Sequence, residues 1–114
     1  MSSRDNTDNQ RFETLKRMVS DVGPLRRGSV VRRFMPCGKQ GCRCQGTPPQ
    51  LHGPYYQWTR KLRGKTVTVR LTEHEAQRIR EWIANGRQLN KIVTEMEKLS
   101  LRMTDRLLCH LKPA

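Results

Sequence analysis

A single run of apolar residues limits the possible folds more than any other feature of the chain. From Ala76 onward, Ile79, Ile83, Gly86, Leu89, Ile92, Met96, Leu99, Met103, Leu107 and Leu111 recur at steps of mostly three and four. Side chains at those steps share one face of an α-helix, and no strand-like alternation competes with them. Thr72 and Glu75 stand just ahead with the spacing of a capping box, in which each satisfies a free amide at a helix start. The pattern predicts a long C-terminal helix within residues 72–114. Asn85-Gly86 is its one breaker and leaves open a kink or a division into two helices, although Gly86 falls on the apolar stripe. So long a helix cannot bury its whole stripe on so small a domain. Leu89, Ile92, Met96, Leu99, Met103 and Leu107 are therefore expected to pack on an N-terminal helix, on a second copy, or on a protein partner.

The rest of the chain must supply what that helix packs against. With 114 residues, 34% of them apolar and 29% charged, there is room for one domain with a thin core, and a chemical staple would help it. No stretch approaches 18 apolar residues, so no membrane span is expected. Met1–Gln10 is polar and carries Asp5 and Asp8, unlike a signal peptide. The expected compartment is the reducing cytoplasm, where the four cysteines serve as thiolates or metal ligands rather than in disulfides.

Upstream, Phe12, Leu15, Met18, Val19 and Val22 fall at helical spacing, predicting a short amphipathic helix over residues 8–21 behind a disordered start, stopped by Gly23-Pro24. Residues 28–35 read as a strand, Cys37–Cys44 as a tight turn, and residues 45–50 as a proline-containing loop. Residues 55–62 and 65–71 read as two further strands joined by Arg63-Gly64. Their alternation puts Tyr56, Trp58 and Arg60 on one face and Tyr55, Gln57, Thr59 and Lys61 on the other; Val67, Val69 and Leu71 oppose Thr66, Thr68 and Arg70. The expected fold is α+β: a three-stranded antiparallel sheet with a zinc-knuckle-like Cys turn between its first two strands, a short N-terminal helix and a long C-terminal helix. Three segments follow: 1–25, a polar tail and short helix; 26–71, a basic β-region with the knuckle; and 72–114, the long helix.

Two constellations carry chemistry. In Cys37-x4-Cys42-x-Cys44, with His52 eight residues on, thiolates and an imidazole offer the four ligands of a closed structural zinc site. Gly38 and Gly41 let the turn tighten, and Lys39 and Arg43 offset thiolate charge. The spacing is neither that of a zinc ribbon nor that of a Cys2His2 finger. Reduced thiols with a hydrogen-bonded His52, or a thiol redox switch, remain the alternatives. If His52 is not the fourth ligand, Cys109 or His110 takes its place.

The second constellation is electrostatic. The net charge is +13, yet residues 1–25 hold four basic and four acidic side chains. Residues 26–71 hold Arg26, Arg27, Arg32, Arg33, Lys39, Arg43, Arg60, Lys61, Arg63, Lys65 and Arg70, and no Asp or Glu. A surface of one sign repels itself, so a polyanion is the expected partner. Guanidinium forks suit phosphate oxygens, and Tyr55 on the same block could stack on an unpaired base, whereas Tyr56 and Trp58 are expected in the core. Zinc is thus the expected cofactor and nucleic acid, DNA or RNA, the expected partner. The alternative is a protein-interaction adaptor with an acidic target. Catalysis has little to stand on: the central block holds no carboxylate for an acid–base pair, and Glu73 and Glu75 have a structural role at a helix start.

Arg27-Gly28-Ser29, Cys37-Gly38-Lys39-x-x-Cys42-Arg43-Cys44, His52-Gly53-Pro54-Tyr55-Tyr56 and Gly64-Lys65-Thr66 follow one another ahead of the long helix. In this order the chain resembles a family of small, basic prokaryotic proteins known only as a domain of unknown function. The resemblance covers residues 27–108 and leaves residues 1–25 outside. It implies a bacterial, phage or mobile-element setting, and no activity, ligand set or fold.

Overall fold

The computed structural model describes residues 3–109; His110 and Leu111, named above as a possible ligand and as the end of the apolar stripe, lie outside them. Helix α1 spans Ser3–Ser20, strand β1 Ser29–Met35, a 3-10 turn Arg43–Gln45, strand β2 His52–Leu62, strand β3 Lys65–Leu71, and helix α2 Glu73–Leu108. The three strands form one antiparallel sheet in the order β1-β2-β3, so the fold is α+β with the cysteine turn between the first two strands. The chain divides into two compact units, Leu25–Ala84 and a second made from residues up to Pro24 together with those from Asn85 onward. Helix α2 contributes to both.

In the unit built from the two chain ends, α1 lies against the later turns of α2. Leu15, Ile92 and Leu99 are its buried centre, with Phe12, Met18, Val19, Val22 and Met96 packed around them. The partner expected for Ile92, Met96 and Leu99 is therefore α1 of the same chain. Met103 is half-buried, whereas Leu107 is exposed. Helix α1 begins at Ser3, so the disorder expected at the start is corrected for Ser3–Gln10. The reason is pairing distant in sequence: Asp8 accepts from Arg102 (3.3 Å) and Arg106, and Arg106 also donates to Asp5 (2.8 Å). Asp8 is buried, and the Arg106 guanidinium first, with Arg102, holds its carboxyl below the usual 3.8. Helix α2 runs unbroken through Asn85-Gly86. Asn85 spends its side-chain amide on the carbonyl of Pro24 (2.8 Å), tying the end of the α1 turn to α2.

The unit Leu25–Ala84 is the sheet with the first turns of α2. Thr72 and Glu75 form the capping box: the Thr72 amide donates to Glu75 Oε1 at 2.8 Å and the Glu75 amide to Thr72 Oγ1 at 3.1 Å. These bonds, from the Thr72 backbone above all, lower the Glu75 carboxyl below its ordinary 4.5. Trp58, Ala76 and Ile83 are the buried apolar side chains here, apart from Cys44. Arg63 and Gly64 both take positive φ, 52° and 80°, in the two-residue turn that suits the twist of a hairpin. Strand β2 starts earlier than expected, at His52, because residues 52–54 continue the ladder past a bulge: Arg33 pairs with Tyr55 but Met35 with His52. Gly53 sits there with φ 140°, where any Cβ would lie 2.8 Å from the Arg33 carbonyl oxygen. Only glycine permits that approach.

Candidate metal centre and basic sheet face

Two short-range devices bring the cysteines and His52 together. The 3-10 turn at Arg43–Gln45 doubles the chain back so that Cys42 and Cys44 face Cys37 at the end of β1. The bulged start of β2 supplies His52. The sulfurs of Cys37 and Cys44 are 3.5 Å apart, Cys42 Sγ is 3.1 Å from His52 Nε2, and all four ligand atoms lie within 4.8 Å of one another. Cys44 is buried and the other three half-buried. Three thiols and an imidazole so placed could hold a metal ion. Cys109 is not in this group; its thiol donates to the Arg106 carbonyl oxygen at 3.1 Å.

The surroundings already favour a thiolate. The Cys44 backbone amide first, and then the His52 ring, bring the Cys42 thiol from 9.0 down to about 6. At Cys44 the amide of Cys37 donates to the sulfur at 3.3 Å and pulls the thiol down, but burial and the neighbouring thiols outweigh it and push it up from 9.0. A cation bound here would displace the proton that Cys44 otherwise keeps.

The basic residues divide by strand parity. On the open face, Ser29, Val31 and Arg33 of β1 stand beside Tyr55, Gln57, Thr59 and Lys61 of β2, and these beside Thr66, Thr68 and Arg70 of β3. Val31, Arg33, Lys61, Thr68 and Arg70 are exposed. Arg70 lies 4.2 Å from the Tyr55 ring centre, Arg33 donates to Gln57 Oε1 at 3.4 Å, and the Thr59 and Thr68 hydroxyls meet at 2.9 Å. Arg63 is exposed in the hairpin turn beside this surface; Lys65, paired with Leu62, takes the parity of Trp58 and Arg60 and is exposed on the other face, and Lys39 and Arg43 are exposed on the cysteine loop. Gln57, Thr59 and Thr68 were absent from the expected contacts, although alternation alone already aligned them with Lys61 and Arg70.

Arg32 and Arg60 depart from the open face. Both take the parity of Tyr56 and Trp58; Arg32 stays exposed against the Phe34 ring (5.2 Å), whereas Arg60 stacks on Trp58 at 4.0 Å. Arg26 and Arg27 precede β1 and are exposed, with Arg26 4.8 Å from the same indole. Within this unit the ion pair among the described residues is Arg78 with Glu81 on α2. None of the eleven basic side chains of residues 26–71 meets a carboxylate there. Asp5, Asp8 and Glu95 are paired with Arg106, Arg102 and Arg11 inside the other unit.

Among the described residues, no helix is long and apolar enough to cross a membrane. No curated protein and no solved structure matches the chain. A family model for a domain of unknown function (DUF6788) matches residues 9–81, from the first turns of α1 through the sheet to the first turns of α2. It takes in most of residues 1–25, which the resemblance had left outside, and stops short of the later turns of α2. The chain belongs to that family.

Proposed function

We propose that this protein is a non-enzymatic, zinc-stabilised nucleic-acid-binding protein that grips a phosphate backbone with the open face of its sheet. The observation that carries this reading is the unpaired charge: Arg33, Lys61 and Arg70 share one exposed face, with Arg63 beside it in the hairpin turn, without a carboxylate partner in their unit. Such a surface is relieved by an anion with repeated charges, and four cations spread over a sheet match a chain of phosphates better than one small ion. Tyr55 on the same face could take a base edge or ring, though Arg70 covers part of it. The test is copurification at low salt. Bound nucleic acid would raise the ratio of absorbance at 260 to 280 nm, and loss of all binding to DNA and RNA at about 50 mM salt refutes the reading.

Zinc is the ion this donor set suits. Sulfur ligands about 2.3 Å from a tetrahedral ion stand about 3.8 Å apart. The Cys37 and Cys44 sulfurs, 3.5 Å apart, stand close to that spacing, and all four ligand atoms lie within 4.8 Å of one another. Cys37, Cys42, Cys44 and His52 would hold the ion, which supplies structure rather than chemistry because four protein ligands close its shell. Elemental analysis of freshly purified protein checks this directly: about one zinc per chain supports it. A metal-free protein with reversible Cys37–Cys44 oxidation favours the redox switch instead.

A second reading, an adaptor for a protein partner, draws on Leu101 and Leu107, which are 61% and 67% exposed on α2. An adaptor would purify free of nucleic acid.

A further inference from the structure

At the entry to β1, Arg26, Arg27, Arg60 and Lys61, together with Leu25 and Leu62, line a half-open cavity of about 230 Å³. Four cations line it and no carboxylate does. Proteins rarely gather cations so closely without something between them, because each raises the cost of charging the next.

The arrangement is built rather than incidental. Arg26 and Arg60 both lie against the Trp58 ring, at 4.8 and 4.0 Å, which limits their rotamers. The backbone between them is pinned twice: the Arg26 amide donates to the Trp82 carbonyl oxygen at 3.1 Å, and the Trp58 indole N–H donates to the Arg27 carbonyl oxygen at 3.0 Å. Gly28 makes the close approach possible, with φ 113° and a position where a Cβ would lie 2.3 Å from the Thr59 carbonyl oxygen. Arg60 adds an independent sign: its Nε and Nη1 are buried and have no hydrogen-bond partner. A guanidinium taken partly out of water without an acceptor is costly, and a bound anion offsets that cost.

We propose that this cavity binds a phosphate group carrying more than one negative charge, either the terminal phosphate of a nucleic-acid strand or free pyrophosphate. A bridging phosphodiester brings a single charge, too little for a cavity lined by four basic residues. A terminal phosphate brings about −1.5 to −2 near neutral pH together with three acceptor oxygens. Leu25 and Leu62, both exposed, give the adjoining sugar an apolar wall. The choice of a strand end as source rests on the nucleic-acid reading above; the affinity for a multiply charged phosphate does not.

Oligonucleotides of one sequence with hydroxyl or phosphate ends, and inorganic pyrophosphate alone, separate the possibilities when titrated against the full chain. The phosphate-ended strand should bind about tenfold tighter than the hydroxyl-ended one, the scale of one extra charge-assisted contact. Pyrophosphate should erase that difference, and in Arg27→Gln the ratio should fall to about one. Equal binding of both strands together with no binding of pyrophosphate overturns the inference while leaving the open face untouched. Pyrophosphate binding without any nucleic-acid binding overturns the nucleic-acid reading and leaves this pocket standing, with free pyrophosphate as its ligand. Because the ratio is first read on the unaltered chain, misfolding of a variant cannot hide the answer.

Discussion

Salt should weaken nucleic-acid binding by an amount that follows from the sheet. Arg33, Lys61 and Arg70 on the open face, with Arg63 in the hairpin turn, provide four exposed cations. If each neutralises one phosphate, the logarithm of affinity falls against the logarithm of salt with a slope of about −3.6 on duplex and about −2.8 on a single strand. A fourfold rise from about 50 to about 200 mM then costs about a hundred and fiftyfold on duplex and about fiftyfold on a single strand. Fluorescence anisotropy with labelled oligonucleotides across that range reads the slope directly. Arg70→Gln should make it shallower by about 0.7 to 0.9, since one phosphate contact is lost. Leu15→Ala, whose site is the core of the other unit, should leave it unchanged. A slope shallower than about −1, or an undiminished slope in Arg70→Gln, refutes the assignment of these side chains to phosphates.

Three further outcomes are expected. Leu15 is fully buried at the centre of the α1–α2 core, so Leu15→Ala should cost about 3 kcal/mol, read as a lower urea midpoint for loss of helix signal. Asp8 has its carboxyl pKa lowered from 3.8 in the folded chain. Its stabilisation is therefore present above that ordinary value and lost as pH falls through the lower folded one. Circular dichroism should show the helical unit weakening below about pH 4, and Asp8→Asn should flatten that dependence. Finally, stripping the metal with a strong chelator should collapse the amide spectrum of residues 37–52 while α1 and the later turns of α2, which have their own core, keep their helix signal. An unchanged spectrum after complete metal loss contradicts a structural role for the ion.

Local rules made much of this molecule legible from its residues. The apolar stripe and the Thr72–Glu75 box announce α2 because both act within one or two turns. The Arg63-Gly64 turn and the alternation around it assign each side chain of β2 and β3 to a face. The Cys/His cluster was legible for the same reason, since its four side chains lie within sixteen residues. What stayed hidden depends on partners far apart in the chain. Asp5 and Asp8 look like a polar tail until Arg102 and Arg106 come to meet them, although 5, 8, 12 and 15 already continue the helical rhythm of the apolar face. Asn85 reads as a breaker because propensity is local, whereas its bond to Pro24 is not. Arg60 looks like its basic neighbours; only the stack on Trp58 and its two buried, unpartnered nitrogens distinguish it.

Amide chemical-shift mapping of the isotope-labelled full chain, titrated with a short oligonucleotide at about 50 mM salt, bears most directly on the basic sheet as a nucleic-acid surface. The expected perturbations gather at Val31, Arg33, Gln57, Thr68 and Arg70 and fade as salt rises. Perturbations confined to α1 and the later turns of α2, or none at any residue, would contradict it.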